Sequence, residues 1–344
     1  MRKAYLLTLL VALCWASSLV ANKAMLLAVR GGRHLTPAQV CFWAIAVGWT
    51  ALFALLAVRG RLAHLREIAA RGWLVLVLMG LFGWAGYTVA LNYAYTLLPL
   101  PSVIVINYLH PVFTVLFQGP LFSRALHTIS QWEVEPDRSQ RPGALRLALG
   151  FLLCLAGVAL IATQGRLTSL LALHISGGAL SALFAAFAWG VYSNLGRFVA
   201  LRPGSPDRSL PELHSLLAMT FGLVTLAAVL ARGHQFVAPH GFRASLYLLA
   251  WGPATFPVWL LITYTGLIVY CGAFTTWLVV LERGAHHGHA HHLPPLTYLT
   301  PVLAVVLGRV LLHEGFGAGF WAGAVLIALG NTVIVWPGPS RRRR

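Results

Sequence analysis

Apolar residues fall into ten long runs along the chain. Each run has about the 20 residues that an α-helix needs to cross the hydrocarbon region of a bilayer. Polar or proline-containing segments separate the runs. The pattern predicts ten transmembrane helices, over residues 5–29, 37–58, 73–95, 102–122, 144–164, 176–197, 211–231, 257–281, 293–312 and 316–336.

The composition indicates the same class of protein. Hydrophobic residues make up 58% of the 344 residues and charged residues 10%, and the mean hydropathy is +0.76. A soluble fold of this length needs far less apolar material to fill its core. The sequence therefore predicts an all-α, multi-pass integral membrane protein. Because Arg and Ala far outnumber Lys, we expect a bacterial inner (plasma) membrane protein encoded by a GC-rich genome.

Basic residues are distributed unevenly among the connections. If the N-terminus is cytoplasmic, most of the 25 Lys and Arg residues fall on the cytoplasmic side, including the C-terminal run 341–344. Cytoplasmic loops of membrane proteins carry this excess, so we expect both termini to be cytoplasmic. The same bias explains the net charge of +17 without a nucleic-acid partner. The basic tail favours anionic lipid headgroups of the bilayer.

The two halves of the chain resemble each other. ALCWASSLVANK (12–23) matches FAWGVYSNLGR (187–197), MGLFGWAG (79–86) matches TGLIVYCG (265–272), NYLHPV (107–112) matches TYLTPV (297–302), and GFLLCLAG (150–157) matches GAVLIALG (323–330). Each unit holds five predicted helices, an odd number, so the second unit must cross the membrane in the opposite orientation. We therefore expect two inverted repeats, 1–170 and 171–344, around a substrate site near mid-bilayer. Since the first apolar run has a counterpart in the second half, we expect it to be retained rather than cleaved as a signal peptide.

Several of these motifs resemble a known family. The two-times-five plan, the central tryptophans of helices one and six, and the ending LHEGFGAGFWAGAVLIALGN (312–331) are similar to the drug/metabolite transporter superfamily, EamA type. VINYLHPVFTVLF and FAWGVYSNLGRFVA look most like its branch of aromatic amino-acid exporters, in which tryptophan usually stands at the position of His110. The resemblance implies a ten-helix basket around a central cavity, with a small-molecule substrate and export by alternating access.

Polar and aromatic side chains occur near the middle of the predicted helices. Such a surface suits a zwitterion with an apolar or aromatic side chain. The alternative is that these side chains pack between helices or bridge them by hydrogen bonds. We predict that the following residues bind substrate: Trp15, Asn92, Asn107, Tyr108, His110, Trp189, Tyr192 and Tyr270.

His110 and Pro111 stand together in an otherwise apolar run. At 1.5 Å per residue, His110 lies about 12 Å into the fourth helix, near the middle of the hydrocarbon core. An ionisable group at this depth indicates function. Pro111 frees the carbonyl of Asn107 and bends the helix. Pro301 occupies the matching position in the ninth helix, so both prolines are predicted to shape helices.

Four charged residues are candidates for gating or for binding a substrate carboxylate: Lys23, Arg197, Glu282 and Glu314. Lys23 and Arg197 occupy matching helix ends, and the alternative for both is extension to the lipid headgroups. None of the acids is predicted at mid-bilayer. Proton coupling would therefore depend on His110, whose unperturbed pKa near 6.5 permits titration. We favour a facilitator, with a proton-coupled drug or metabolite antiporter as the alternative.

Two further segments have weaker signals. HHGHAHH, before the ninth helix, is a weak candidate for zinc or nickel binding through His286, His287, His289, His291 and His292. An incidental flexible insertion is the interpretation we favour for it. Segment 242–253 is predicted to lie in the outer interface as an amphipathic helical turn.

Motifs of other function classes are missing from the sequence. It has no phosphate loop, nucleophile elbow or HExxH motif, which argues against an ATP-driven pump, and no cofactor is expected. A polytopic membrane enzyme and a non-transporting sensor are the less favoured alternatives, because catalysis usually needs converging acids and bases. The sequence does not fix the oligomeric state, and a monomer is compatible with it.

Overall fold

Helices form most of the described chain. The computed structural model describes residues 2–67, 72–117, 144–162, 176–200, 211–248, 252–277, 299–315 and 317–335. The helices are α1 (Arg2–Leu27), α2 (Pro37–Val58), α3 (Gly72–Met79, Gly80–Tyr87 and Thr88–Leu97), α4 (Leu100–Asn107), α5 (His110–Leu116), α6 (Ala144–Ala162), α7 (Gly177–Ala200), α8 (Pro211–Arg232), α9 (Val258–Trp277), α10 (Leu299–Leu312) and α11 (Ala318–Val335). A short 3₁₀ helix, Arg61–Glu67, follows α2.

Every apolar run of the sequence contains helix in the structure. Six of the described helices, α1, α2, α3, α7, α8 and α9, are long and apolar enough to cross a membrane. The remaining runs hold shorter apolar helices: Leu100–Thr114, Ala148–Gly157, Thr300–Leu312 and Ala318–Val333. The structure therefore supports an integral membrane protein with six candidate spanning helices among the described residues, and the count of ten stays a prediction.

The fourth predicted helix is interrupted. Its first part, α4, ends at Asn107, and α5 begins at His110 after a turn at residues 108–109. Pro111 has no N–H group to donate to the carbonyl of Asn107. The turn is instead closed by shorter-range bonds, from the N–H of Leu109 to the carbonyl of Ile106 (3.1 Å) and from the N–H of Val112 to the carbonyl of Leu109 (2.9 Å).

A four-stranded antiparallel sheet lies at one end of the bundle, in the order β2-β1-β3-β4. Its strands are β1 (Val29–Arg30), β2 (Arg33–His34), β3 (Arg243–Leu248) and β4 (Gly252–Pro257). Gly31 and Gly32 join β1 to β2 with φ of 55° and 77°, as a two-residue turn with two positive φ angles requires. Pairing of Val29 with Arg243 joins the two halves of the chain.

The prediction of an amphipathic helical turn over 242–253 is wrong, because this segment forms β3 and the start of β4. Side chains alternate between exposed and buried along Arg243, Ala244 and Ser245. This period of two is that of a strand, whereas a helix repeats every 3.6 residues. Pairing with β1 and β4 satisfies the backbone groups that a helix would have paired internally.

Glycines mark close approaches between helices, and these approaches come in pairs. A Cβ atom on Gly48 of α2 would lie 2.8 Å from Cβ of Tyr270 and 2.9 Å from the carbonyl oxygen of Gly266 on α9. A Cβ atom on Gly222 of α8 would lie 2.5 Å from Cβ of Trp84 on α3. Trp84 and Tyr270 are matched positions of the sequence repeat, so the packing of α2 on α9 has the same form as that of α8 on α3.

The contact between α6 and α11 also consists of two equivalent halves. A Cβ atom on Gly157 would lie 2.6 Å from the carbonyl oxygen of Gly323, and one on Gly330 would lie 2.6 Å from the carbonyl oxygen of Gly150. Gly150 is matched to Gly323, and Gly157 to Gly330, in the sequence repeat. The two helices therefore exchange equivalent contacts across a local twofold arrangement.

Alanine at Gly157 is expected to destabilise the protein, because its methyl group meets backbone that cannot rotate away. Overpacking of this kind costs about 1–3 kcal/mol. The measurement is the midpoint of thermal unfolding in detergent, with Gly317→Ala as the matched control because nothing lies within 4 Å of a Cβ atom there. Equal midpoints for the two variants would contradict the close approach of α6 and α11.

Candidate functional site

Eight aromatic side chains from four helices meet in the interior, and we call this group the aromatic cage. Its members are Trp15 of α1, Trp84 and Tyr87 of α3, Trp189 and Tyr192 of α7, and Tyr270, Phe274 and Trp277 of α9. Phe274 is central to one side of the cage, with ring centroids 5.7 Å from Trp15, 5.3 Å from Trp84 and 6.4 Å from Trp189. The cage thus draws on both halves of the chain.

Trp189 is central to the other side of the cage. Its ring centroid lies 4.8 Å from that of Tyr87 and 5.3 Å from that of Tyr192. Gly83 makes room for Tyr192, since a Cβ atom at that position would overlap the Tyr192 ring. The tilted and edge-on ring arrangements are those that aromatic pairs favour. The cage therefore presents ring faces and edges to one region of the interior.

The helical backbone is irregular next to the cage. Gly80–Tyr87 of α3 and Tyr264–Ala273 of α9 are wound as π-helix. A π-helical turn inserts extra residues into the helix and is frequent at functional sites. Trp84 and Tyr270 lie within these two stretches and face each other across 5.4 Å. The irregular winding therefore positions matched residues of the two halves against one another.

His110 lies at the edge of the cage. Its ring is half-buried, with centroids 6.2 Å from Trp189 and 5.2 Å from Tyr108. Tyr108 is also fixed through its carbonyl oxygen, which accepts a hydrogen bond from Nδ2 of Asn331 at 2.9 Å. The structure thus places an imidazole beside the aromatic rings at the edge of the cage.

Polar groups above and within the cage lack partners in the described part of the chain. The buried acceptors are Oδ1 of Asn22, Asn92 and Asn107, and the buried donors are Nε1 of Trp15 and Trp84; the hydroxyls of Tyr95 and Thr265 belong to the same set. Most buried polar groups in proteins are hydrogen-bonded, and each exception calls for an explanation. Both donors and acceptors are therefore available to a ligand with groups of both kinds.

A buried ion pair closes the end of the bundle beyond these amides. Nζ of Lys23 lies 3.6 Å from Oε1 of Glu314, and it donates hydrogen bonds to the carbonyl oxygens of Tyr95 and Leu98. The N–H of Leu100 donates to Oε2 of Glu314. The pair therefore joins α1, the connection from α3 to α4, and the segment between α10 and α11.

The alternative interpretation of Lys23, extension to the lipid headgroups, is wrong for this conformation. The residue is only 7% exposed, because its ammonium group turns inward to Glu314 and to two backbone carbonyls. A second ion pair joins Arg61 to Glu212 at 3.1 Å. This pair lies after the C-terminal end of α2, at the opposite end of the bundle from Lys23 and Glu314. The sequence did not predict it.

The structure brings together most of the residues predicted to bind substrate. Trp15, Trp189, Tyr192 and Tyr270 belong to the cage, His110 and Tyr108 border it, and Asn92 and Asn107 lie among the unpaired amides. Other predicted residues lie outside the described parts: Glu282, the His-rich segment with His286, His287, His289, His291 and His292, and the side chains of Pro111 and Arg197. Pro301 is described within α10.

Sequence reasoning missed five residues at the site: Asn22, Trp84, Tyr87, Phe274 and Trp277. One of them had a signal, since the repeat lays Trp84 on Tyr270, which was selected. Phe274 lies four residues after Tyr270 on the same helical face. The sequence does not distinguish Phe274 from other apolar residues, because its place in the site depends on how α9 packs against α1 and α7.

A comparison with family models gives one match. Residues 2–132 match the EamA-like transporter family. No curated protein matches the sequence. A solved structure described only as "Crystal structure of protein" shares the fold, with a TM-score of 0.56 and 22% sequence identity over 99% of this chain and 98% of that chain.

The family match and the structure point to the same broad class. The matched family consists of drug and metabolite transporters, and the long apolar helices are those of an integral membrane protein. The match of residues 2–132 to the EamA-like transporter family therefore supports a multi-pass membrane transporter that lies in a lipid bilayer and binds a small molecule.

Proposed function

We propose that the protein exports amino acids with apolar or aromatic side chains across the bacterial inner membrane, by alternating access between two inverted five-helix repeats. The observation that carries the proposal is the aromatic cage, which draws Trp15 and Trp84 from one half of the chain and Trp189 and Phe274 from the other. A site built at the junction of two halves changes its access when the halves rock against each other.

The paired glycine contacts support the inverted repeat. Gly48 meets Tyr270 as Gly222 meets Trp84, and the contacts between α6 and α11 are reciprocal. The packing of residues 144–162 against 318–335 and of α2 against α8 also joins matched or neighbouring helices of the two halves. A pseudo-twofold relation makes two conformations, one open to each side, close in energy.

The chemistry of the cage supports a zwitterionic cargo. Ring faces accommodate an apolar or aromatic side chain. The unpaired indole N–H groups of Trp15 and Trp84 can donate to a carboxylate, and the unpaired amide oxygens can accept from an amine. A neutral sugar has neither a carboxylate nor an ammonium group to set against these donors and acceptors.

The distribution of charge favours facilitated transport. The described residues include three acids, Glu67, Glu212 and Glu314, and all three lie at the ends of helices rather than in the cage. Proton antiport usually needs an ionisable group that both the proton and the cargo reach. Among the described cage and its border, His110 has that position, so the proton-coupled antiporter is retained as the second candidate.

The buried pair of Lys23 and Glu314 is proposed to act as the outer gate. It lies at the end of α1 that the charge bias places outside. A cargo that leaves the cage toward that side must pass between α1 and the segment after α10. Separation of the pair is therefore part of the outward-open conformation.

Counterflow of labelled phenylalanine into proteoliposomes tests the proposal, with and without an imposed pH gradient. We expect exchange without a gradient, because the cage alone supplies the binding surface. Exchange that appears only with a gradient would favour the antiporter, and His110→Gln should then uncouple it. Absence of exchange for phenylalanine, leucine and tryptophan would contradict amino-acid export, while proteoliposomes with the Gly317→Ala variant control for reconstitution.

A further inference from the structure

Three asparagine side chains from three helices share an unusual feature. Asn22 of α1, Asn92 of α3 and Asn107 of α4 are 5%, 1% and 4% exposed. The Oδ1 atom of each has no hydrogen-bond partner in the described part of the chain. Burial of an acceptor without a donor is costly. Three such acceptors in one region indicate a ligand that supplies donors.

The assignment of the oxygen atom is firm for Asn92. Its Nδ2 atom donates to the carbonyl oxygen of Thr88 at 2.9 Å and to Sγ of Cys41 at 3.2 Å. A carbonyl oxygen accepts and cannot donate, so the atom that faces Thr88 must be nitrogen. The unpaired atom is therefore the oxygen. In Asn107 the nitrogen donates to the hydroxyl of Tyr87 at 3.5 Å.

Tyr270 connects the three amides. The amide of Asn22 approaches its hydroxyl, and Cys41 and Tyr87 lie near the same hydroxyl. Cys41 is the partner of Asn92, and Tyr87 is the partner of Asn107. The three amides therefore lie near the Tyr270 side of the aromatic cage, and we call them the amide cluster.

The amide cluster has the chemistry to bind a primary ammonium group. Such a group carries three N–H donors and no acceptor, which complements three unpaired oxygens. Nearby aromatic faces attract a cation. A carboxylate would find no donor in the three oxygens, whereas the indole N–H groups of Trp15 and Trp84, also unpaired, can serve it within the cage.

We propose that Asn22, Asn92 and Asn107 form the ammonium subsite of the transporter and thereby select cargo that carries a primary amine. The inference rests on the proposed export of amino acids and adds the orientation of the cargo, with its amine toward the end closed by Lys23 and Glu314. It also assigns a role to Asn22.

Two probes of the same shape test the subsite: 2-phenylethylamine and 2-phenylethanol. Their binding to the purified protein in detergent is followed by quenching of tryptophan fluorescence, because the cage supplies the reporter. We expect the wild type to bind the amine about tenfold or more tightly than the alcohol. Asn92→Leu and Asn107→Leu should bring this ratio close to one while the affinity for the alcohol is retained. Asn92→Asp, which keeps an acceptor, should restore the preference for the amine.

Asn194→Leu is the matched control. Asn194 is equally buried, but its Nδ2 donates to the carbonyl oxygens of Thr114 and Gly190 at 3.0 and 2.9 Å, and it lies outside the amide cluster. Its variant should keep the wild-type ratio, even if it unfolds at a lower temperature. A general loss of packing would instead lower the affinity for both probes alike.

Two results would overturn the subsite: a wild type that binds both probes equally, or Leu variants that keep the preference for the amine. The proposed function fails separately. If the wild type prefers the amine but does not exchange phenylalanine, amino-acid export is wrong and the subsite stands. If it exchanges phenylalanine without preference for the amine, the subsite alone is wrong.

Discussion

Replacement of Trp189 by alanine is expected to reduce phenylalanine counterflow by about a hundredfold. The indole lies against Tyr87, Tyr192 and His110, so its removal opens the cage where two halves of the chain meet. Loss of a well-packed aromatic anchor costs several kcal/mol of binding, and about 2.7 kcal/mol corresponds to a hundredfold change. The measurement is the initial rate of counterflow per reconstituted protein.

Folding must be separated from transport in this experiment, because large-to-small changes also destabilise. Trp189→Phe keeps an aromatic ring, although a smaller one, and should recover most of the rate. Trp259→Ala is the matched control, since Trp259 is 47% exposed and lies outside the cage. Counterflow at the wild-type rate in Trp189→Ala would show that the cage does not bind the cargo.

Separation of Lys23 from Glu314 is expected to expose the interior to the outer solution. Lys23→Met leaves a buried carboxylate without its partner, which typically costs about 3–5 kcal/mol in the closed state. The conformation that hydrates Glu314 should then dominate. Cys41, which is 1% exposed and bonded to Asn92, reports the change through its labelling by a membrane-impermeant thiol reagent.

The labelling experiment uses a chain in which Cys14, Cys154 and Cys271 are replaced by alanine. We expect labelling of Cys41 from outside to accelerate at least about tenfold in Lys23→Met and in Glu314→Gln, and cargo should slow it. Arg61→Met, which breaks the pair at the opposite end, should not accelerate it. An unchanged rate in both outer variants would rule out a gate at this pair.

Local patterns in the sequence predicted where the helices lie but not which helices pack against each other. Each α-helix of the described chain overlaps an apolar run, and the match of MGLFGWAG with TGLIVYCG coincides with the two π-helical stretches. Winding itself had no separate signal, because both stretches are apolar nearly all round the helix and so show no periodicity that would report the number of residues per turn. The period of two in RASLYL is the signal for β3, but the apolar content of 242–253 also fits a helix.

The sequence predicted many of the residues at the site but not how they are arranged. Trp15 and Trp189 were selected because a repeat places them at one depth. Lys23 and Glu314 were each selected, but as separate charges, because residues 291 positions apart have no local signal for contact. Asn22 was missed for a related reason, since an asparagine one residue before a lysine near a helix end has the sequence appearance of a polar boundary.

The exposed edge of the outer sheet has a consequence for the behaviour of the protein at high concentration. The N–H of Val258 donates to the carbonyl of Phe242. Because backbone groups alternate in direction along a strand, residues 252, 254 and 256 point their N–H and C=O groups toward β3. Residues 253, 255 and 257 point theirs away from the sheet. Pro253 and Pro257 remove two of these three donors. Prolines on an edge strand prevent a second chain from adding to the sheet. The edge formed by β4 therefore offers few donors to the strand of a second chain.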